Sequence, residues 1–103
     1  MGASALLFAA LGDKTRLWLL LRLCAGRRMS IASLTAGSRV TRQAITKHLR
    51  VLEGAGLARS TRRGRERIWH LRQKRLREAR RYLELISLQW DHALGRLRKL
   101  VEE

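Results

Sequence analysis

Residues 30 to 57 read SIASLTAGSRVTRQAITKHLRVLEGAGL. Ser30 is a good N-cap for a short helix from Ile31 to Ala36, with Ile31 and Leu34 facing inward, and Gly37-Ser38-Arg39 makes a tight turn. Thr41 caps a second, longer helix that runs to about Ala55 and is closed by Gly54 and Gly56. On that helix Ile45, His48, Leu49 and Leu52 share one face, and Arg42, Gln43, Thr46, Lys47 and Arg50 share the other. One face suits a core and the other a polyanion. The pattern predicts a helix-turn-helix over about 30–55, with Thr41 to Ala55 entering the major groove of DNA.

The polar face has the chemistry to read bases. Gln43 suits an adenine edge, Arg42 and Lys47 a guanine or a phosphate, and Thr46 a thymine methyl or a phosphate. No side chain can be assigned to a particular base, and the competing interpretation is an ordinary solvated helix surface. The segment C-terminal to the helix favours DNA. Leu57 to Thr61 alternates toward Arg62-Arg63-Gly64-Arg65, and Arg67 to Leu71 returns with Trp69 and Leu71 in phase, which predicts a β-hairpin over about 57–71 with Gly64 at positive φ. A hairpin tipped by Arg62, Arg63, Gly64 and Arg65 beside a reading helix is a wing, suited to phosphates or the narrow minor groove. Trp69 is expected in the core.

Upstream, Ala3 to Leu11 predicts one helix and Asp13 caps another. Leu17, Leu20, Leu21 and Cys24 recur at helical spacing, and Trp18 and Leu19 broaden the apolar face beyond one stripe, so this helix is expected to be buried on more than one side or to sit at a subunit contact. Gly26 is expected to supply a left-handed cap, with Arg27 and Arg28 offsetting the helix end, and Met29 to lie in a brief strand. Downstream, from about 74 to 101, apolar residues fall at Leu76, Ala79, Leu83, Ile86, Trp90, Ala93, Leu97 and Leu100. This 3-4 alternation fits a coiled-coil-like seam on a helix too long for a small head to cover. A second copy is expected to meet it through Leu83, Ile86, Trp90, Leu94 and Leu97.

Composition supports a phosphate partner. The 103 residues carry 23 Lys and Arg against 8 Asp and Glu, a formal charge of +15. Fifteen of those cations lie between Arg39 and Arg81, opposed by Glu53, Glu66 and Glu78 alone. Four cations are Lys and 19 are Arg, which favours forked contacts to phosphates and guanine edges. No apolar run reaches the roughly 18 residues of a membrane span and no leader pattern opens the chain, so a cytoplasmic protein is expected. The one cysteine, Cys24, allows no intrachain disulfide and is expected to be a buried apolar thiol. Three scattered histidines, few carboxylates and no Gly-rich phosphate loop argue against an enzyme.

The order helix, helix, helix-turn-helix, wing and long final helix resembles the ArsR-type family of winged-helix regulators. Leu11-Gly12-Asp13-Lys14-Thr15-Arg16 is similar to the family's L-x-D-P-T-R, with Lys14 in place of its proline. Ala44-Ile45-Thr46-Lys47-His48-Leu49-Arg50-Val51-Leu52 with Gly56-Leu57 is similar to its A-V-S-K-H-L-x-V-L-x-x-A-G-L, and Arg63-Gly64-Arg65 with Trp69 and Leu71 to its R-x-G-R-x-x-x-Y-x-L. The resemblance covers nearly the whole chain and is most specific from Ala44 to Leu57. It implies a mainly α fold with a small β-hairpin, and a homodimer that binds palindromic operators, usually to repress.

Many members sense metals. The thiolate pair of the family's site in the supporting helix is missing from Ile31 to Ala36. Asp91 and His92 are adjacent, so they point about 100° apart, and no second His comes after them. No metal or cofactor is therefore expected, and an inducing ligand stays open.

The expectation is one winged helix-turn-helix domain over 1–103 whose partners are double-stranded DNA and a second copy of itself. A sequence-indifferent nucleic-acid or chromosome-associated protein is the alternative that Arg richness alone would satisfy. An interaction module using Arg75, Arg77, Arg80 and Arg81 against an acidic protein or a membrane is a third.

Overall fold

Side-chain caps decide where three of the helices begin. Asp13 accepts the backbone N–H of Arg16 at 3.0 Å, Ser30 that of Ser33 at 3.2 Å and Thr41 that of Ala44 at 3.1 Å, each satisfying an N–H that the first turn cannot. In the computed structural model, which describes residues 2–102, these caps open α2 (Lys14–Gly26), α3 (Ile31–Thr35) and α4 (Arg42–Gly54). Helix α1 (Gly2–Leu11) precedes them, and α5 (Gln73–Glu102) ends the described chain. Strands β1 (Arg28–Ser30), β2 (Ala58–Arg63) and β3 (Glu66–Leu71) form an antiparallel sheet in the order β1-β3-β2.

The end of α4 is closed by its glycines in a specific way. Gly56 takes φ +78, its N–H reaches Glu53 O at 3.0 Å, and the N–H of Leu57 reaches back to Leu52 O at 2.9 Å. That pair of bonds is a Schellman cap, and the accompanying contact between Leu52 and Leu57, both fully buried, anchors the turn into β2. The core gathers Leu7, Leu19, Leu20, Leu23, Leu34, Ile45, Leu49, Leu52, Leu57 and Trp69, so each helix up to α4 and the sheet contribute to one cluster. Trp69 is 0 % exposed, a core residue as its phase on the strand predicts.

Three local expectations are corrected. Helix α2 turns Leu19, Leu20 and Leu23 inward, whereas Leu17 and Leu21 stand 46 % and 69 % exposed and Cys24 is exposed as well. The run Leu17-Trp18-Leu19-Leu20-Leu21 places apolar groups on nearly every side, so spacing alone does not select a phase. The packing partners select it, and they leave Cys24 on the outside. Helix α2 also ends differently from expectation, because Gly26 stays helical and Arg27 takes φ +64. A Cβ on Gly26 would come 2.5 Å from the sulfur of Met29, so glycine there makes room for β1 to turn back closely. Third, the short helix stops at Thr35 and Ala36 is its C-cap.

Helix α5 divides into a docked start and a free remainder. Leu76 and Ala79 pack on the core, and Tyr82 sets its ring edge-on to Phe8 of α1 with centroids 5.8 Å apart. Beyond Tyr82 the seam residues Leu83, Ile86, Trp90, Leu94 and Leu97 are 45–64 % exposed. Thirty residues make a rod of about 45 Å, and the molecule measures 68 × 25 × 23 Å. Its radius of gyration is 18.2 Å, against about 13 Å for a compact chain of a hundred residues, and the projecting helix accounts for the excess. No helix among the described residues is long and apolar enough to cross a membrane.

Candidate nucleic-acid interface

Helix α4 buries Ile45, Leu49 and Leu52 and so must turn its other arc to solvent. Arg42, Gln43, Lys47 and Arg50 are exposed there, and Thr46 is half-buried among them. Two of the predicted contact residues also have a structural task. Thr41 Oγ1 is the N-cap acceptor, and Thr46 Oγ1 donates to Arg42 O at 2.8 Å, which commits its proton and leaves a methyl and a lone pair for an outside partner. Arg50 lies 3.4 Å from Glu53, whose other oxygen accepts from Ser60 of β2, so Arg50 is tied toward the hairpin. No carboxylate lies within ion-pair distance of Arg42 or Lys47 among the described residues.

The wing depends on Gly64. Strands β2 and β3 are joined by Gly64 and Arg65 alone, and Gly64 has φ +64 at the first position of that two-residue turn, as a type II′ hairpin requires. Arg62, Arg63 and Arg65 are all exposed at the tip, with Arg62 opposite Arg67 and Arg63 opposite Glu66. Ile31, Arg42, Gln43, Thr46 and Lys47 line one groove, and a neighbouring groove brings Arg42 together with Arg65, Glu66 and Arg67. The start of α4 and the tip of the hairpin therefore border the same recess. Arg67 and Ile31 belong to this surface and were not anticipated. Arg67 sits on the strand face of Trp69, and alternation alone assigns it inward. It is exposed all the same, and its Nη1 reaches Ser60 Oγ, on that same face opposite Trp69, at 2.9 Å.

A second constellation positions α4 from behind. Arg16 donates Nε to Ala10 O at 2.7 Å and Nη2 to Ala9 O at 3.3 Å, two carbonyls of the last turn of α1, the second of which also accepts the Gly12 N–H. Its Nη1 is 3.4 Å from His48 Nδ1, which also lies 3.7 Å from Asp13 Oδ2. Asp13 titrates below its ordinary value, chiefly because the Arg16 N–H bonds its carboxylate, and then through the charges of Arg16 and His48. Asp13, Arg16 and His48 thus clip the α1–α2 corner to the middle of α4. The spacing of Asp13 and Arg16 was visible as a cap and first turn, but only the tertiary fold brings in His48, 32 residues on.

Seam residues Leu83, Ile86, Trp90, Leu94 and Leu97 take no part in this surface; they lie on the projecting part of α5. Among the described residues no three His, Cys, Asp or Glu side chains converge as a metal site needs.

No family model matches the chain. Its sequence is 43 % identical over 68 residues to YuzN, an uncharacterized HTH-type transcriptional regulator of Bacillus subtilis (strain 168), spanning 60 % of this chain and 74 % of that one. The structure is similar to an ArsR-like transcriptional regulator from Rhodococcus sp. RHA1, at 37 % identity and a TM-score of 0.87, covering 98 % of this chain and 92 % of that one. It shares its fold with the homodimeric winged helix-turn-helix DNA-binding domain of a possible ArsR-family regulator from Mycobacterium bovis, at 19 % identity and a TM-score of 0.65, covering 90 % and 82 % of the two chains. With its helix-turn-helix, arginine-tipped hairpin and long final helix, the chain belongs to the ArsR family of winged-helix, DNA-binding transcriptional regulators.

Proposed function

We propose that the protein is a homodimeric repressor that recognises an imperfect palindrome, with Arg42, Gln43, Thr46, Lys47 and Arg50 at the major groove and Arg62, Arg63 and Arg65 at the flanking phosphates or minor groove. Thr41 starts the reading helix and Gly64 shapes the wing tip. The observation that carries this reading is the common recess of α4 and the wing, where Arg42 faces Arg65 and Arg67 and Glu66 is the one carboxylate among the described residues that line it. Such a concentration of guanidinium groups is stable only beside an anion or in water, and duplex DNA supplies regularly spaced phosphates.

Dimerisation is supported by the exposed seam from Leu83 to Leu97, which one chain leaves uncovered, and by the homodimer formed by the Mycobacterium bovis fold relative. Two-fold pairing through α5 sets two copies of α4 about 34 Å apart, one helical turn of DNA. Occupying a promoter in that way blocks transcription without catalysis, metal or cofactor. Cys24 stands alone and α3 holds no thiol, so a thiolate-bound metal ion is not the proposed inducer.

Footprinting purified protein on its own upstream region tests the proposal. A protected imperfect palindrome, bound at least about a thousandfold more tightly than random duplex at physiological salt, is the expected result. Equal affinity for both would instead leave a sequence-indifferent nucleic-acid-binding protein, the reading that Arg richness alone supports.

A further inference from the structure

The sheet carries a second basic row on the face away from the core. Arg28 of β1 and Arg59 of β2 are both Cα partners of His70 on the central strand β3. Side chains alternate along a strand, and Trp69 points into the core, so Arg28, His70 and Arg59 rise together from the outer face. Strands lie about 4.8 Å apart, which puts the two arginine backbones about 10 Å apart with the His70 ring between them. Arg72 follows just past the end of β3, and burial first, then the charges of Arg28, Arg59 and Arg72, hold the His70 pKa below its ordinary value.

Like charges placed side by side across strands destabilise a sheet. Among the described residues neither Arg28 nor Arg59 meets a carboxylate within ion-pair distance. The carboxylate on this face of β3, Glu66, is four residues from His70, about 13 Å along the strand, and is the Cα partner of Arg63. Arg59 is likewise about 13 Å from Arg63, so the row is separate from the wing tip. His70 Nδ1 is buried and has no hydrogen-bond partner among the described residues.

We infer that Arg28, His70 and Arg59 form a phosphate-binding row on the outer face of the wing's base, distinct from the α4 and wing-tip surface. Two guanidinium forks about 10 Å apart at the backbone can close on one phosphate or pyrophosphate from opposite sides, each with a bidentate contact. The phosphate comes either from a free phosphorylated compound or from DNA that continues past the wing. The row does not depend on which bases α4 reads.

The full-length protein decides between the sources. If the phosphate is free, adding pyrophosphate shifts the His70 ring resonances saturably, and the shift is lost in Arg28→Gln/Arg59→Gln. If it belongs to flanking DNA, wild-type binding depends more steeply on salt for a duplex one helical turn longer on each side than for one ending at the wing. The double variant then loses about two units of slope per protomer on the longer duplex only. Either pattern supports the row. It is overturned if pyrophosphate leaves His70 unmoved and the two duplexes give wild type the same slope, or if the shift or the slope difference survives the double substitution. The wild-type comparisons need no variant to fold. Arg63→Gln/Arg65→Gln should lower the slope on both duplexes, so the wing and the row fail independently.

Discussion

Gly56 has φ +78, and a Cβ there would come 3.0 Å from Arg75 Cγ. Both facts oppose any side chain, so Gly56→Ala should destabilise the protein by about 1–2 kcal/mol, the usual cost of a left-handed L-residue. Urea unfolding of the variant beside wild type measures it. Arg27 presents the reverse case, because a non-glycine residue sits at φ +64, ψ −66, a sparsely populated region. Arg27→Gly relieves that strain but enlarges unfolded-state freedom, and the balance should be a gain of roughly 1 kcal/mol, seen as a higher urea midpoint with unchanged slope. The Gly56 turn is legible in the sequence, because a glycine two residues past the last helical residue is a common helix stop. The Arg27 conformation is not, because Gly26 next to it is the residue that cap chemistry favours for positive φ, and the structure keeps Gly26 helical instead.

At the scale of elements, the corner between α1 and α2 and the base of the wing both carry acid-sensitive groups. Asp13 is held below its ordinary value of 3.8 by the Arg16 N–H first, and Glu78 below its ordinary 4.5 by the hydrogen bond from Arg75 first. A carboxylate with a lowered folded value contributes fully above its unfolded value, and that contribution is lost as the pH falls through the folded one. His70 is held below 6.5 by burial first and then by Arg28, Arg59 and Arg72. The unfolded chain therefore binds the His70 proton more tightly, and stability falls as the pH drops from about 6.5 through the folded value. All three act in the same direction, so urea midpoints should decline in two stages, below pH about 6.5 and again below about 4. His70→Gln should abolish the first stage and Asp13→Asn should weaken the second; a midpoint that is flat from pH 7 to pH 4 in wild type would refute the His70 assignment. The cap at Asp13 was readable as a local signal, while the row around His70 needed the strand register.

For the whole molecule, the decisive feature is that α5 outruns its own head. The seam residues beyond Tyr82 are exposed in one chain, and burying them between two chains is the proposed source of the dimer. Ile86→Asp/Leu97→Asp should give a monomer by sedimentation equilibrium whose head still melts cooperatively, because neither residue belongs to the core around Trp69. Affinity for a two-half-site operator should then fall steeply, whereas the weak affinity for random duplex should fall little, since each head keeps its cations.

The sequence by itself determined the order of elements, the capped start of α4, the glycine turn of the wing and the polar arc of α4. Each of these depends on residues close together along the chain, where cap chemistry, turn chemistry and helical spacing act directly. Tertiary structure alone decided which side of the leucine-rich α2 is buried, why Cys24 faces out and how His48 meets Asp13 and Arg16. It also decided that Arg28, Arg59 and His70 stand in one row. Those outcomes depend on contacts between residues tens of positions apart, set by which packing fills the core and which register pairs the strands, and no local spacing encodes either.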